Sequence, residues 1–395
     1  MARAGIYVHV PFCRSRCSYC DFATGMYESG AAEIYVRALA GEMRQWREIE
    51  QPLSVDTIYL GGGTPSLLQS AQIAVILESL RNRFEILDDP EITIEINPAS
   101  ITGNQAGLKS QPDDELSRGK LNAFCALGIN RASFGAQTFD DRQLKQLGRT
   151  HTATDIPSTF HELRRAGFAN INLDLIAGLP GQTLASWKRN LDEALKLRPE
   201  HLSLYLLDVH EGTPLADQIK SGMRPEPDED LAAEMYAAMI EVAGFAGYEH
   251  YEISNFCLPG FESRHNTKYW TGEPYYGFGN SAHSFDGARR RWANERDAAK
   301  YVSVIERSGS PIVERTYLSE SGAQSESLFL GLRLMRGINL LDHRTRFGSD
   351  VARAYREDLN RLLDAGLIEI EGDWLRLTNR GAVLSNEVMS VFVGN

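Results

Sequence analysis

Six short β-rich stretches, each followed by a longer amphipathic one, run in series through the first two thirds of the chain. No other feature constrains the fold as much. The strand-like stretches are 5–12, 55–61, 91–97, 131–136, 170–177 and 201–208. The helix-like ones are about 31–49, 67–84, 114–127, 154–166, 185–197 and 228–246. Most of the strands are nearly continuous in Val, Ile, Leu or aromatics, as strands buried on both faces should be. Gly128, Gly167 and Gly244 stand at or near helix ends, where a left-handed residue is wanted. Units of this kind in series imply a parallel sheet with right-handed crossovers. Rolled up, six of them make a partial (β/α)6 TIM-like barrel; an open doubly wound sheet is the alternative. Either way, ligands gather at the carboxyl ends of the strands.

The remainder reads differently. Residues 256–312 hold glycine and aromatic clusters, including Tyr269-Trp270 and Tyr275-Tyr276-Gly277-Phe278-Gly279, with little periodicity. They are expected to form irregular structure wrapping a site. Beyond 320, amphipathic segments at 325–335 and 349–365 precede an alternating stretch, 367–377, that turns at Gly372-Asp373. Helices and then a hairpin predict a small C-terminal winged-helix-like α+β domain of mixed charge, suited to packing rather than to DNA. The expected divisions are 1–255, 256–319 and 320–395.

Three of the five cysteines fall in the spacing Cys13-x3-Cys17-x2-Cys20, directly after the first strand. An odd, clustered set points to an intracellular metal site rather than a disulfide framework. The spacing lets one loop fold three thiolates around a face of an iron–sulfur cubane. Tetrahedral zinc needs a fourth protein ligand, and neither Cys nor His follows Cys20 closely; His9 precedes the loop but lies on the strand. Three ligands for four irons leave one iron open. Cys125 and Cys257 read as plain buried cysteines.

The net charge of −12 argues against nucleic acid or anionic lipid as a general partner. The local basic run, Arg289-Arg290-Arg291, reads as a solvated loop. No stretch reaches the run of about 18 apolar residues that a membrane span needs. Residues 1–5 lead straight into a strand, without room for a signal peptide, so a cytoplasmic location is expected.

The cysteine loop after a first strand resembles the hallmark of the radical S-adenosylmethionine superfamily. That resemblance implies a [4Fe–4S] cluster on Cys13, Cys17 and Cys20, with S-adenosylmethionine chelating the open iron. Gly61-Gly62-Gly63-Thr64-Pro65 closes the second strand and resembles the family's glycine motif for the methionine part of the cofactor. Three glycines let backbone approach a ligand closely, and their amides can bond a carboxylate. Charged or polar residues recur at later strand ends: Glu95, Gln137, Arg149 and Asp174. A charge in a buried strand is costly unless paired or ligated. Together with Tyr7 and Tyr19, these positions resemble the cofactor-lining residues of the subgroup that includes oxygen-independent coproporphyrinogen III oxidase.

Within that subgroup, two features depart from the oxidase itself. Phe22 stands where the oxidase carries a further cysteine, and only a short segment precedes Tyr7. Instead, His265-Asn266-Thr267-Lys268-Tyr269-Trp270 resembles the His-Asn-x-x-Tyr-Trp motif of HemW-type heme chaperones. This implies that the chain binds heme and passes it to acceptor apoproteins such as respiratory membrane components. His265 is then the expected iron ligand, with the neighbouring aromatics covering the macrocycle. The alternatives are a radical methyltransferase or cyclopropanating enzyme on the same scaffold, and coproporphyrinogen dehydrogenation itself.

Overall fold

The computed structural model describes residues 3–49, 54–102 and 114–393. Six parallel strands lie side by side in chain order: β1 (Ala4–Val10), β2 (Ser54–Gly62), β3 (Glu85–Ile96), β4 (Arg131–Gln137), β5 (Asn170–Ala177) and β6 (His201–Leu206). Each is followed by a long helix: α1 (Ser29–Gln45), α2 (Ser70–Arg83), α3 (Asp114–Ala126), α4 (Asp155–Ala166), α5 (Leu184–Leu197) and α6 (Glu229–Phe245). The expected order of units is therefore found, with the ends shifted by a few residues. Ile58, Leu60, Ile94, Phe134 and Leu173 are buried between the sheet and its neighbours, at about 1.5–3 kcal/mol each. On α1, Tyr35, Val36, Leu39 and Met43 form the apolar stripe that faces the sheet, as their i, i+3/i+4, i+7 spacing requires. Gly167 takes the left-handed position that ends α4. Gly244, expected to play that part, lies inside the last turn of α6, and Gly247 holds the positive φ instead.

The stretch read as irregular is mostly regular. Two short strands, β7 (Glu249–Glu252) and β8 (Asn255–Cys257), extend the sheet antiparallel beyond β6. After α7 (Arg264–Thr271), β9 (Tyr275–Phe278) adds parallel to the free edge of β1. β10 (His283–Phe285), β11 (Arg290–Asn294) and, after α8 (Ala298–Glu306), β12 (Ile312–Tyr317) continue antiparallel. Burial along these short strands does not alternate, so they show no period of two, which is why the sequence did not reveal them. The basic run also differs from expectation. Arg290 and Arg291 belong to β11, and Arg291 Nε donates to Glu326 Oε2 at 3.1 Å.

Beyond residue 319, helices pack with a three-stranded antiparallel sheet. Its strands are Ile338–Asn339, Ile368–Glu371 and Trp374–Leu377, and Gly372 makes the hairpin turn with φ 58°. Among the described residues, no helix is long and apolar enough to cross a membrane.

Candidate functional site

The carboxyl end of β1 delivers Cys13 to the rim of the sheet, and the loop to Cys20 is pinned from both sides. The Ser18 N–H donates to the Leu147 carbonyl at 2.9 Å, and its hydroxyl donates to Gln146 O at 3.2 Å. The Ser15 hydroxyl donates to Gly148 O at 3.3 Å, and the Leu215 N–H donates to Ser18 O at 2.8 Å. On the other side, the amides of Gly63 and Thr64 donate to Val10 O (2.9 Å) and Phe12 O (2.7 Å). A loop held this way presents its three thiols without the entropy cost of gathering them.

Cys13, Cys17 and Cys20 are free of disulfides, half-buried, and line one cavity of about 160 Å³. The Thr64 hydroxyl lies 3.7 Å from Cys13 Sγ, and Arg149 Nη1 lies 3.6 Å from Cys17 Sγ. Burial pushes the Cys13 thiol up and the Cys20 thiol to about 11. Thiolates in such a setting need the positive charge of a metal to stay deprotonated. Among the described residues, no three His, Cys, Asp or Glu side chains converge on one point. A cubane does not require that, because each thiolate meets a different iron. His9 offers this chamber nothing: its Nδ1 is 3.0 Å from the Tyr7 hydroxyl and its Nε2 is 3.0 Å from Ala23 O.

The same cavity is walled by Tyr19, Gly62, Gly63, Thr64, Glu95, Gln137, Arg149 and Asp174. The glycine turn, however, serves the protein's own packing. Gly62 has φ +108°, and a Cβ there would collide with the His9 ring; at Gly63 a Cβ would lie 2.7 Å from Phe12 O. The Gly62 amide is already given to Glu95 Oε2 at 3.0 Å, while the Tyr59 hydroxyl donates to Oε1 at 3.0 Å. Burial, and then the charge of Asp174, raise the Glu95 carboxyl to about 7. Asp174 is likewise raised by burial, against a hydrogen bond from Asn172 Nδ2 at 2.7 Å. Gln137 holds a left-handed φ of 65°, a strained conformation for a side chain of its kind. Arg149 reaches Gly135 O at 2.6 Å with Nη2, while among the described residues its buried Nε has no partner. Arg131 Nε is orphaned in the same way. Arg149 lines the cysteine chamber together with Glu95 and Asp174, and a guanidinium beside two carboxyls suits a ligand that brings carboxylate, amino or hydroxyl groups, as an amino acid or a nucleoside does. The thiols and these donors thus fit an iron–sulfur cluster with S-adenosylmethionine.

Two larger cavities adjoin this chamber. One, of about 350 Å³, adds Tyr59, Arg131, Asn172, Ser203 and Tyr205 to Tyr19, Glu95, Gln137 and Asp174. The other, of about 450 Å³, is walled by Tyr7, Phe22, Tyr59, Tyr269 and Tyr275, with Asn266, His283 and Arg296. Phe22 and Glu95 line all three cavities, and Gly62 lines the cysteine chamber and the cavity of about 450 Å³. The sequence reading missed Arg131 and Asn172. Arg131 is 2% exposed, and its charge in a buried strand is the signal that would have found it.

The expectation for His265 meets a different geometry. The imidazole is 0% exposed and lines none of these three cavities. Its Nδ1 is 2.9 Å from Thr57 Oγ1 and its Nε2 is 2.8 Å from the Tyr269 hydroxyl. Its backbone N–H donates to Glu91 Oε1 at 2.9 Å. Burial, then the Lys268 charge, lower it to about 3, so it stays neutral. Through these bonds His265 ties α7 to β2, and its neighbours Asn266 and Tyr269 line the cavity of about 450 Å³. Cys257 is buried on β8.

The family model for the radical SAM superfamily matches residues 7–194, and that for the HemN C-terminal domain matches residues 319–384. The chain is similar to the heme chaperone HemW of Bacillus subtilis, at 34% identity over 98% of both chains. It is also similar to the mitochondrial radical S-adenosyl methionine domain-containing protein 1 of Bos taurus, at 34% identity over 98% of this chain and 87% of that one. Among solved structures, coproporphyrinogen III oxidase (HemN) from Escherichia coli shares the fold. It superposes with a TM-score of 0.82 over 99% of this chain and 90% of its own, at 23% identity.

Proposed function

From the premise that this chain belongs to the radical SAM superfamily and, within it, to the family of HemW heme chaperones, we propose that it is a heme carrier. In this reading it takes up heme beside a cluster-bound S-adenosylmethionine and releases it to an acceptor apoprotein. Cys13, Cys17 and Cys20 hold a [4Fe–4S] cluster. Gly62, Gly63, Thr64, Glu95, Gln137, Arg149 and Asp174, with Tyr19, enclose S-adenosylmethionine at its open iron. When bound, this pair supplies one-electron chemistry. The chain's own residues bind, orient and exclude water: Arg149 in the cysteine chamber and Arg131 in the adjoining cavity supply positive charge, and Glu95 and Asp174 offer acceptors.

The observation that carries the reading is the aromatic cavity of about 450 Å³, which shares Phe22, Gly62 and Glu95 with the cysteine chamber. Four tyrosines and a 60% exposed phenylalanine form the walls a flat macrocycle needs. Phe22 occupies the place where the oxidase has a cysteine, so an apolar wall replaces a thiol there. The test is a heme titration of the anaerobically reconstituted chain, followed by mixing with an apo-hemoprotein. A shifted Soret band and transfer to the acceptor are expected. No heme binding, or turnover of coproporphyrinogen, would refute the carrier reading.

A further inference from the structure

The imidazoles around the aromatic cavity are not equivalent. His9 and His265 each spend both ring nitrogens on internal partners. His283, at the start of β10, is exposed and lines the cavity with Tyr7, Tyr59, Tyr269 and Tyr275. Among the described residues its ring has no hydrogen bond or ion pair, so ligation of a metal there would break nothing.

The backbone beneath His283 is held by hydrogen bonds on both sides. Ser281 takes a left-handed φ of 58°, and its N–H donates to Glu295 O at 2.8 Å. The Asn294 N–H donates to Ala282 O at 2.9 Å, and His283 sits opposite Ala293 in the β10–β11 ladder. Asn280, 1% exposed, accepts at Oδ1 within 2.8 Å of the Tyr35 hydroxyl and donates to Arg296 O at 2.8 Å. The same frame therefore places His283 and Arg296 on one rim. Arg296 donates to Asp21 O at 2.8 Å and has no carboxylate partner among the described residues. An sp² nitrogen open to an aromatic-walled space suits a porphyrin iron, and an unpaired guanidinium beside it suits a propionate.

We propose that His283 is the axial ligand to heme iron in this cavity and that Arg296 pairs with a heme propionate. The proposal rests on the carrier reading and deepens it. It also assigns His265 a positioning part, since that ring carries Asn266 and Tyr269 to the cavity wall without facing it.

The test titrates ferric heme into the cluster-reconstituted full chain and into His283→Ala and His283→Met. His283→Ala should lose the imidazole-ligated Soret and visible bands and bind roughly tenfold or more weakly. Millimolar free imidazole should restore the bands on heme that co-elutes with the protein and return its affinity toward wild type, which a merely structural role for His283 would not allow. His283→Met should show altered bands of its own. Iron content and S-adenosylmethionine affinity should stay at wild-type values. Wild-type heme spectra in both variants would overturn the assignment of His283 while leaving the carrier reading intact. A wild-type chain that binds no heme would remove the carrier reading itself. Arg296→Gln should weaken heme roughly tenfold but leave heme dimethyl ester unaffected; equal losses for the two ligands would overturn the propionate contact.

Discussion

Glu95 accepts a hydrogen bond from the Gly62 amide at 3.0 Å, which joins the end of β3 to the glycine turn that closes β2. Through Gly63 and Thr64 the same turn holds Val10 and Phe12, and thereby the start of the cysteine loop. One carboxylate thus braces the wall shared by the cysteine chamber and the aromatic cavity. The coupling makes this turn the point where small changes should have large effects.

Gly62→Ala is the sharpest of these. It combines a positive φ with a collision against the His9 ring. A strained φ alone costs on the order of 1–3 kcal/mol. The variant should melt earlier than wild type and retain less iron after reconstitution, as read by calorimetry and iron analysis.

Cluster assembly should require the cysteine loop. Anaerobic reconstitution of the wild type is expected to give about four irons and four sulfides per chain, with a broad absorption near 400 nm that dithionite bleaches. Replacing Cys13, Cys17 and Cys20 together by Ala should abolish it. A triple variant that keeps its cluster, or zinc as the sole metal recovered, would remove the cluster from this loop.

S-adenosylmethionine should bind only when the cluster is present. Glu95→Ala or Asp174→Ala should weaken it by about 1–3 kcal/mol, near ten- to a hundredfold in Kd. Isothermal titration checks this, and unchanged affinity in both variants would place the cofactor elsewhere.

Glu42 predicts a pH dependence of stability. It is buried on α1 and accepts from Tyr301, Asn294 and the Gly279 amide, yet burial still raises it from 4.5 to about 7. Folding therefore takes up a proton between pH 4.5 and about 7, and this contribution to stability falls as pH rises through that window. The total change is on the order of 3 kcal/mol. Chemical denaturation across the window should show the slope in wild type and not in Glu42→Gln; identical slopes would acquit Glu42.

His265→Ala should act on the fold first. It removes hydrogen bonds to Thr57 and Tyr269 inside the protein and leaves their hydroxyls unpaired, at about 1–3 kcal/mol. The melting temperature should drop, while the band positions of bound heme stay those of wild type. A lost axial-ligand spectrum in this variant, with His283→Ala unaffected, would return the iron to His265.

The sequence by itself determined the run of six parallel βα units and the place of the cysteine loop. Helical and strand periods are local properties, and a ligand cluster with close spacing lies within one loop. It also pointed to Glu95 and Asp174, because a charge interrupting an apolar strand is visible without knowing its neighbours, and through the family resemblance to Gln137 at a strand end and Arg149 in a loop. Only the tertiary structure decided what those groups face. The Gly62 amide is spent on Glu95 rather than left for a ligand, and the strands from 275 to 317 extend the sheet where the sequence showed no period. The histidines make the point most plainly. In the sequence, His265 stands out within its motif and His283 does not. In the fold, His265 has both nitrogens satisfied inside the protein, while His283 opens into the aromatic cavity. Whether a ring nitrogen is free depends on residues far away in the chain, such as Thr57, and no local pattern carries that information.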